Sequence, residues 1–206
     1  MKIKKSKIVR YSVGIDEVGR GALAGPVMVA VALVPKELRI RNYKLGILRD
    51  SKKLTPNQRE KWFKVFKNDS RIKYAIAKVH PRKIEKINIS KAANLAALRA
   101  YLRLVKSSKF HVSNSVAYLD GGLYLGNDKN RLSAKTVIRG DQKIPAIKIA
   151  SIIAKVSRDK LMTRLAKTHP NFGFEIHKGY GTKMHYAALK KHGPSVIHRQ
   201  SFIKQI

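Results

Sequence analysis

The chain has 206 residues, 44% of them hydrophobic, which is enough for one substantial core and argues against wholesale disorder. Its 45 Lys and Arg against 12 Asp and Glu give a formal net charge of +33, a self-repelling excess that points to a polyanionic partner. The lack of cysteine excludes disulfides and thiolate metal sites, no run approaches the ~18 apolar residues of a spanning helix, and the N-terminus MKIKKSKIVRYSVGIDEVG has no signal-peptide apolar run.

Tyr11–Ile15 is short and β-prone and reads as a buried strand leading into Asp16-Glu17-Val18-Gly19-Arg20-Gly21. A second strand is expected in Gly25–Val34, apolar on both faces. A third is expected over Ile72–Val79, where Tyr74, Ile76 and Lys78 alternate with Ala75, Ala77 and Val79. Ser90 is placed to cap a helix whose buried stripe would be Leu95, Leu98, Leu102 and Val105. Short strands follow at Val116–Leu119, ending on Asp120-Gly121-Gly122, and at Lys135–Ile138, ending on Arg139-Gly140-Asp141. Pro145 can open a long helix through Ile152, Val156 and Leu165 that stops near His169-Pro170. A basic helical tail lies around Lys183–Lys191. Strands interleaved with helices in this order predict an α/β fold with a mixed sheet and covering helices.

Carboxylates are so scarce here that their positions carry information. Asp16, Glu17, Asp120 and Asp141 each read as falling at an apolar strand end within two residues of a glycine, where backbone can approach a ligand. Strand ends of one sheet can converge, and four converging carboxylates repel unless hard divalent cations neutralise them. Mg²⁺ prefers such all-oxygen ligation. Two ions ~3.5–4 Å apart can activate water and stabilise a leaving oxygen in phosphodiester displacement. The bland alternative makes these groups caps or ion-pair partners of the many Lys and Arg, as Asp50, Asp69 and Asp128 are read. Asp159, inside the long helix, reads as a partner of a nearby Lys or Arg. Neighbouring strand residues face opposite sides, so Asp16 and Glu17 can share a site only if the strand ends or twists at that pair.

The run Gly14-Ile15-Asp16-Glu17-Val18-Gly19-Arg20-Gly21-Ala22-Leu23-Ala24-Gly25-Pro26-Val27 resembles the signature of the ribonuclease HII family, with Val18 where alanine is usual and Ala22 where proline is usual. The likeness continues in order through Asp50-Ser51-Lys52-Lys53-Leu54, Ile87-Asn88-Ile89, Leu119-Asp120-Gly121, Gly140-Asp141, Ala150-Ser151-Ile152-Ile153-Ala154-Lys155-Val156 and Arg158-Asp159. It ends in His177-Lys178-Gly179-Tyr180-Gly181-Thr182 and His198-Arg199-Gln200-Ser201-Phe202.

The resemblance implies an RNase H-like catalytic domain over residues 1–168 and a basic helical extension over 169–206 that helps bind substrate. It implies an endonuclease that hydrolyses the RNA strand of RNA–DNA hybrids and incises 5′ of single ribonucleotides in duplex DNA. Asp16, Glu17, Asp120 and Asp141 would hold Mg²⁺ or Mn²⁺. Gly19, Arg20 and Gly21 would read the ribose 2′-hydroxyl, the group that separates RNA from DNA. Tyr180 would pack on the sugar beside the cut. Lys52, Lys143, Lys155 and Lys178 fall in or beside matched blocks and would contact phosphates, while His198 and Arg199 would tie down the tail. A monomer in the cytoplasm is expected. Type 3 ribonucleases H carry a substantial N-terminal domain, and only thirteen residues precede Gly14. The competing classes are a non-catalytic nucleic-acid binder and another RNase H-fold nuclease such as a resolvase.

Overall fold

The computed structural model describes residues 11–38, 45, 48, 50–107, 115–125 and 134–204. Five strands form one mixed sheet: β1 (Tyr11–Val18), β2 (Val27–Pro35), β3 (Lys73–Val79), β4 (Ser115–Asp120) and β5 (Ala134–Val137), in the order β3-β2-β1-β4-β5. The first three run antiparallel in sequence order, whereas β4 and β5 add parallel to β1. The expected mixed sheet with flanking helices is therefore the observed fold.

Each face of the sheet has its own core. Val13, Ile15, Val29, Val31, Ala77 and Val79 pack with helix α3 (Ile89–Ser107). Ala30, Ala32 and Val34 pack on the other face with α1 (Pro56–Asn68) and the long α5 (Pro145–Thr168). That α5 begins at Pro145 and ends at Thr168 agrees with the sequence reading, because proline at N1 lacks only an N–H that a helix start leaves unbonded.

Two local expectations are corrected, and two helices were missed. The buried stripe of α3 is Ala92, Ala93, Ala96, Ala97, Ala100, Tyr101 and Leu104, while Leu102 is half exposed and Leu95 and Val105 pack only at the margin. Alanines let the helix axis lie close to the sheet, a spacing that a leucine stripe would prop open. Ser90 is not the cap either: the Asn88 side chain accepts the Lys91 N–H at 3.0 Å, and Ser90 lies inside the first turn. Helix α1 was not anticipated, although Thr55 and Gln58 close a capping box around Pro56 and Trp62 and Phe66 stack one turn apart. A short α2 (Pro81–Ile87) also precedes α3.

Beyond the sheet come α4 (Gly140–Lys143), α6 (Phe174–His177), α7 (Lys183–His192) and α8 (Gln200–Ile203). Phe172, Phe174 and Leu189 join Leu23, Ala24, Met162 and Ala166 in a third core that seats the C-terminal segment on α5. Among the described residues no helix is long and apolar enough to cross a membrane.

Candidate active site

Backbone packing decides where the carboxylates sit. An added Cβ on Gly14 would lie 2.0 Å from the carbonyl carbon of Ala146, so glycine alone lets the first turn of α5 rest against β1. That contact brings Ser151 and Lys155 beside Asp16. In the parallel β1–β4 ladder Ile15 faces Leu119, so the next residues on the two strands are Asp16 and Asp120. Gly140 donates its N–H to Asp120 Oδ1 at 2.7 Å and starts α4, whose first turn carries Asp141.

The strand neither ends nor breaks at Asp16-Glu17. The β1–β2 ladder continues through both to Val18, and the first left-handed residue is Gly19, with φ of +82°. Asp16 thus points to the α5 face, where Lys155 Nζ lies 4.0 Å from its carboxylate. Glu17 points the other way, where Arg20 reaches Glu17 Oε1 at 3.4 Å and Ser90 Oγ at 2.8 Å. The Asp16 charge still raises the Glu17 pKa from the opposite face of the strand.

Asp16 and Asp141 are buried. Burial pushes the Asp16 carboxyl up to about 6; Lys155 and Ser151 oppose that rise, and Asp120 and Asp141 add to it. Burial, then Asp16, pushes Glu17 up to about 7 against the pull of Arg20. Glu17 Oε2 is buried without a hydrogen-bond partner. Lys52 donates to Asp141 Oδ2 at 3.2 Å, which raises the lysine's own affinity for its proton. Among the described residues no three His, Asp or Glu side chains stand at metal-cage spacing; Asp16, Glu17 and Asp141 each have a protein cation within 4.0 Å, and Asp120 accepts the Gly140 N–H.

The remaining expected residues divide. Lys52 and Lys155 sit among the carboxylates, with Lys155 Nζ also on Ser151 Oγ at 2.8 Å. Lys143 is exposed on α4. Lys178 bends back onto the Glu175 carbonyl and Thr163 Oγ1, directed into its own segment. Gly21 has open space where a Cβ would stand. Tyr180 is partly exposed, its ring covered on one side by the Arg158 guanidinium at 5.3 Å. Asp50 caps the turn at Ser51–Lys53, Asp69 binds Arg71, and Asp159 lies 3.6 Å from Arg59, all as read from the sequence. Asp128 lies outside the described residues.

Sequence reasoning overlooked what holds the Gly19–Pro26 loop. Arg199, whose fastening of the tail was expected, donates to the carbonyls of Gly19, Arg20 and Gly25 at 2.7–3.0 Å. Arg158 donates to those of Ala24 and Pro26. Both guanidinium groups are fully buried.

Residues 13–205 match the family model described as Ribonuclease HII. The chain belongs to the ribonuclease HII family. It is an endonuclease of the type 2 ribonuclease H class, which degrades the RNA of RNA–DNA hybrids. The ribonuclease is 42% identical to the Ribonuclease HII of Caldicellulosiruptor saccharolyticus over 96% of its own length and 89% of the relative's. It is also 42% identical to that of Pelagibacter ubique, over 92% and 94%. Its fold is similar to the crystal structure of the ribonuclease H2 from Pyrococcus horikoshii, with a TM-score of 0.70, 25% identity and 93% of each chain covered.

Proposed function

We propose that this ribonuclease incises 5′ of single ribonucleotides in duplex DNA as well as cutting hybrids, with Asp16, Glu17, Asp120 and Asp141 as its metal-binding carboxylates. One observation carries the reading: in a chain of net charge +33, the buried Asp16 on β1 lies beside Asp120, which ends the adjacent parallel strand β4, and Asp120 and Asp141 both add to the cost of its charge. Buried carboxylates with elevated pKa values, and a Glu17 oxygen lacking a partner, fit a site built for added positive charge. The donors are all oxygen, which suits Mg²⁺ or Mn²⁺.

Two bound divalent ions would supply the activated water and the stabilisation of the leaving oxygen. The chain's own residues do the rest. Lys52 and Lys155 neutralise Asp141 and Asp16 in the resting enzyme, and Lys52, being largely exposed, is free to swing toward a phosphate. Gly21 offers backbone to a ribose without a side chain in the way. The exposed face of Tyr180 offers a surface for the next sugar. Lys143, exposed on α4, would extend the phosphate track, and Lys178 would join it by releasing the Glu175 carbonyl and the Thr163 hydroxyl. In this reading residues 169–206 act as the substrate-binding extension, and the enzyme works as a cytoplasmic monomer.

The test uses end-labelled DNA duplexes with one ribonucleotide, alongside hybrid and all-DNA controls, in Mg²⁺, Mn²⁺ or EDTA. Metal-dependent incision at the ribonucleotide with DNA untouched is expected. Cleavage of hybrid alone would remove the junction-reading roles of Gly19, Arg20, Gly21 and Tyr180. Binding with no product in any metal would mean a non-catalytic binder.

A further inference from the structure

Arg158, in the middle of α5, is fully buried, yet among the described residues it forms no salt bridge. A guanidinium taken out of water without a carboxylate is costly, and burial accordingly lowers its hold on its proton. Its donors go to three main-chain carbonyls instead: Nη2 to Ala24 at 3.1 Å, Nε to Pro26 at 3.3 Å and Nη1 to Lys178 at 2.8 Å.

Those carbonyls belong to two separate segments. Ala24 and Pro26 close the loop that begins at Gly19, and Lys178 precedes Tyr180. Gly19 itself packs on the guanidinium, since an added Cβ would stand 2.2 Å from Arg158 Nε. The same guanidinium lies 5.3 Å from the centroid of the Tyr180 ring, within cation–π range. One rigid planar fork therefore touches the segment proposed to read the ribose and the aromatic proposed to meet the next sugar. Leu23 and Ala24 also donate their N–H groups to the Gly179 carbonyl, at 2.8 and 3.3 Å, so the two segments meet along their backbones.

We propose that Arg158 is a positioning residue that sets the separation between the Gly19–Gly21 backbone and the Tyr180 ring, and so sets the preference for a ribose-to-deoxyribose junction over continuous RNA. This rests on the functional reading above, in which those two elements face successive sugars. Lysine cannot substitute, because a single ammonium on a flexible stem cannot hold three carbonyls in a plane while covering a ring. Methionine would fill the volume and leave three carbonyls without donors.

The experiment measures kcat and KM for wild type, R158K, Y180A and the double variant on a single-ribonucleotide duplex and on a hybrid. R158K should lower the junction-to-hybrid ratio of kcat/KM about tenfold, mainly through kcat, since misplacement by an ångström costs up to about a hundredfold. In the Y180A background R158K should leave the ratio unchanged, because the element it positions is gone. An unchanged ratio in R158K, or an equal loss in both backgrounds, overturns the inference. Wild type that cleaves hybrid but ignores the junction brings down the functional reading instead, and this inference with it. If R158K does not fold, hydrogen exchange on the wild type decides: the amides of Leu23, Ala24 and Tyr180 must open as one unit, and separate opening energies overturn the coupling.

Discussion

His185 and His198 meet through their Nε2 atoms at 3.0 Å, so one ring donates and the other accepts. The surrounding bonds settle which. His198 Nδ1 accepts the Ser195 N–H at 2.9 Å, which leaves its proton on Nε2. His185 Nδ1 donates to the Tyr180 carbonyl at 3.0 Å, leaving Nε2 as acceptor. His177 stacks on His185 at 4.4 Å, donates Nε2–H to the Phe172 carbonyl and accepts the Gly179 N–H on Nδ1. All three imidazoles must be neutral for this chain of bonds to close. Burial lowers the pKa of each, His198 to about 4, with Glu175 raising and Lys178 lowering His177, and His169 further lowering His198.

An unfolded chain protonates such histidines near their ordinary value, whereas the folded chain resists protonation until well below it. Their contribution to stability is therefore complete above about pH 6.5 and is lost as pH falls toward 4. His198→Gln should cost on the order of 1–2 kcal/mol at pH 7.5 through the broken hydrogen-bond chain. The deficit in Tm against wild type should shrink as pH drops from 7 to about 4.5. A deficit that stays constant over that range would mean the imidazoles do not titrate as described.

Asp16 behaves in the opposite sense. Its folded pKa of about 6 exceeds the ordinary carboxylate value, so the buried charge destabilises the fold above pH 6 and the cost fades as pH falls toward 4. Asp16→Asn should abolish cleavage while hybrid binding stays within a few-fold. In EDTA at pH 7.5 it should raise stability by roughly 1–3 kcal/mol, an advantage that disappears near pH 4. Retained turnover would remove Asp16 from the reaction, and a destabilised D16N would contradict the burial argument.

Gly14 and Gly21 contrast a structural glycine with one proposed to face the substrate. Gly14→Ala drives a methyl into the backbone of Ala146, so it should destabilise by about 1–3 kcal/mol or more and displace Ser151 and Lys155 from Asp16. Gly21→Ala meets no atom within 4 Å and should leave Tm unchanged. Its cleavage of ribonucleotide substrates should nevertheless fall at least about tenfold, because the methyl stands where a ribose would approach. Full activity in G21A would show that no sugar comes against that backbone.

The net charge of +33 makes substrate binding a matter of counterion release. With about four phosphate contacts, the dissociation constant for a hybrid should rise on the order of a hundredfold between 50 and 200 mM salt. Filter binding in EDTA measures this directly, and a flat response would place the substrate away from the basic surface.

Much of the scaffold was legible. The strands and the start of α5 at Pro145 follow from local pattern, and so does Asp120 at the end of β4. Asp16 and Glu17 instead lie within β1 and Asp141 in the first turn of α4. The Thr55–Gln58 capping box of α1 was equally readable but overlooked. In α3 two stripes of the same period competed, and helix-to-sheet distance chose alanine over leucine. That distance is a property of the packed pair.

By itself, the sequence determined the family, the basic excess and the four candidate carboxylates near glycines, because each is carried by residue type and short-range order. Tertiary structure alone decided that Asp16 and Glu17 face opposite sides of an unbroken strand, and that Lys155 and Lys52 settle on the acids. It also singled out Arg158 from 45 basic residues and supplied the partners of Arg199. Apart from the Lys178 carbonyl, their partners are loop carbonyls more than a hundred positions away in the chain, and a buried carbonyl must find a donor wherever folding brings one.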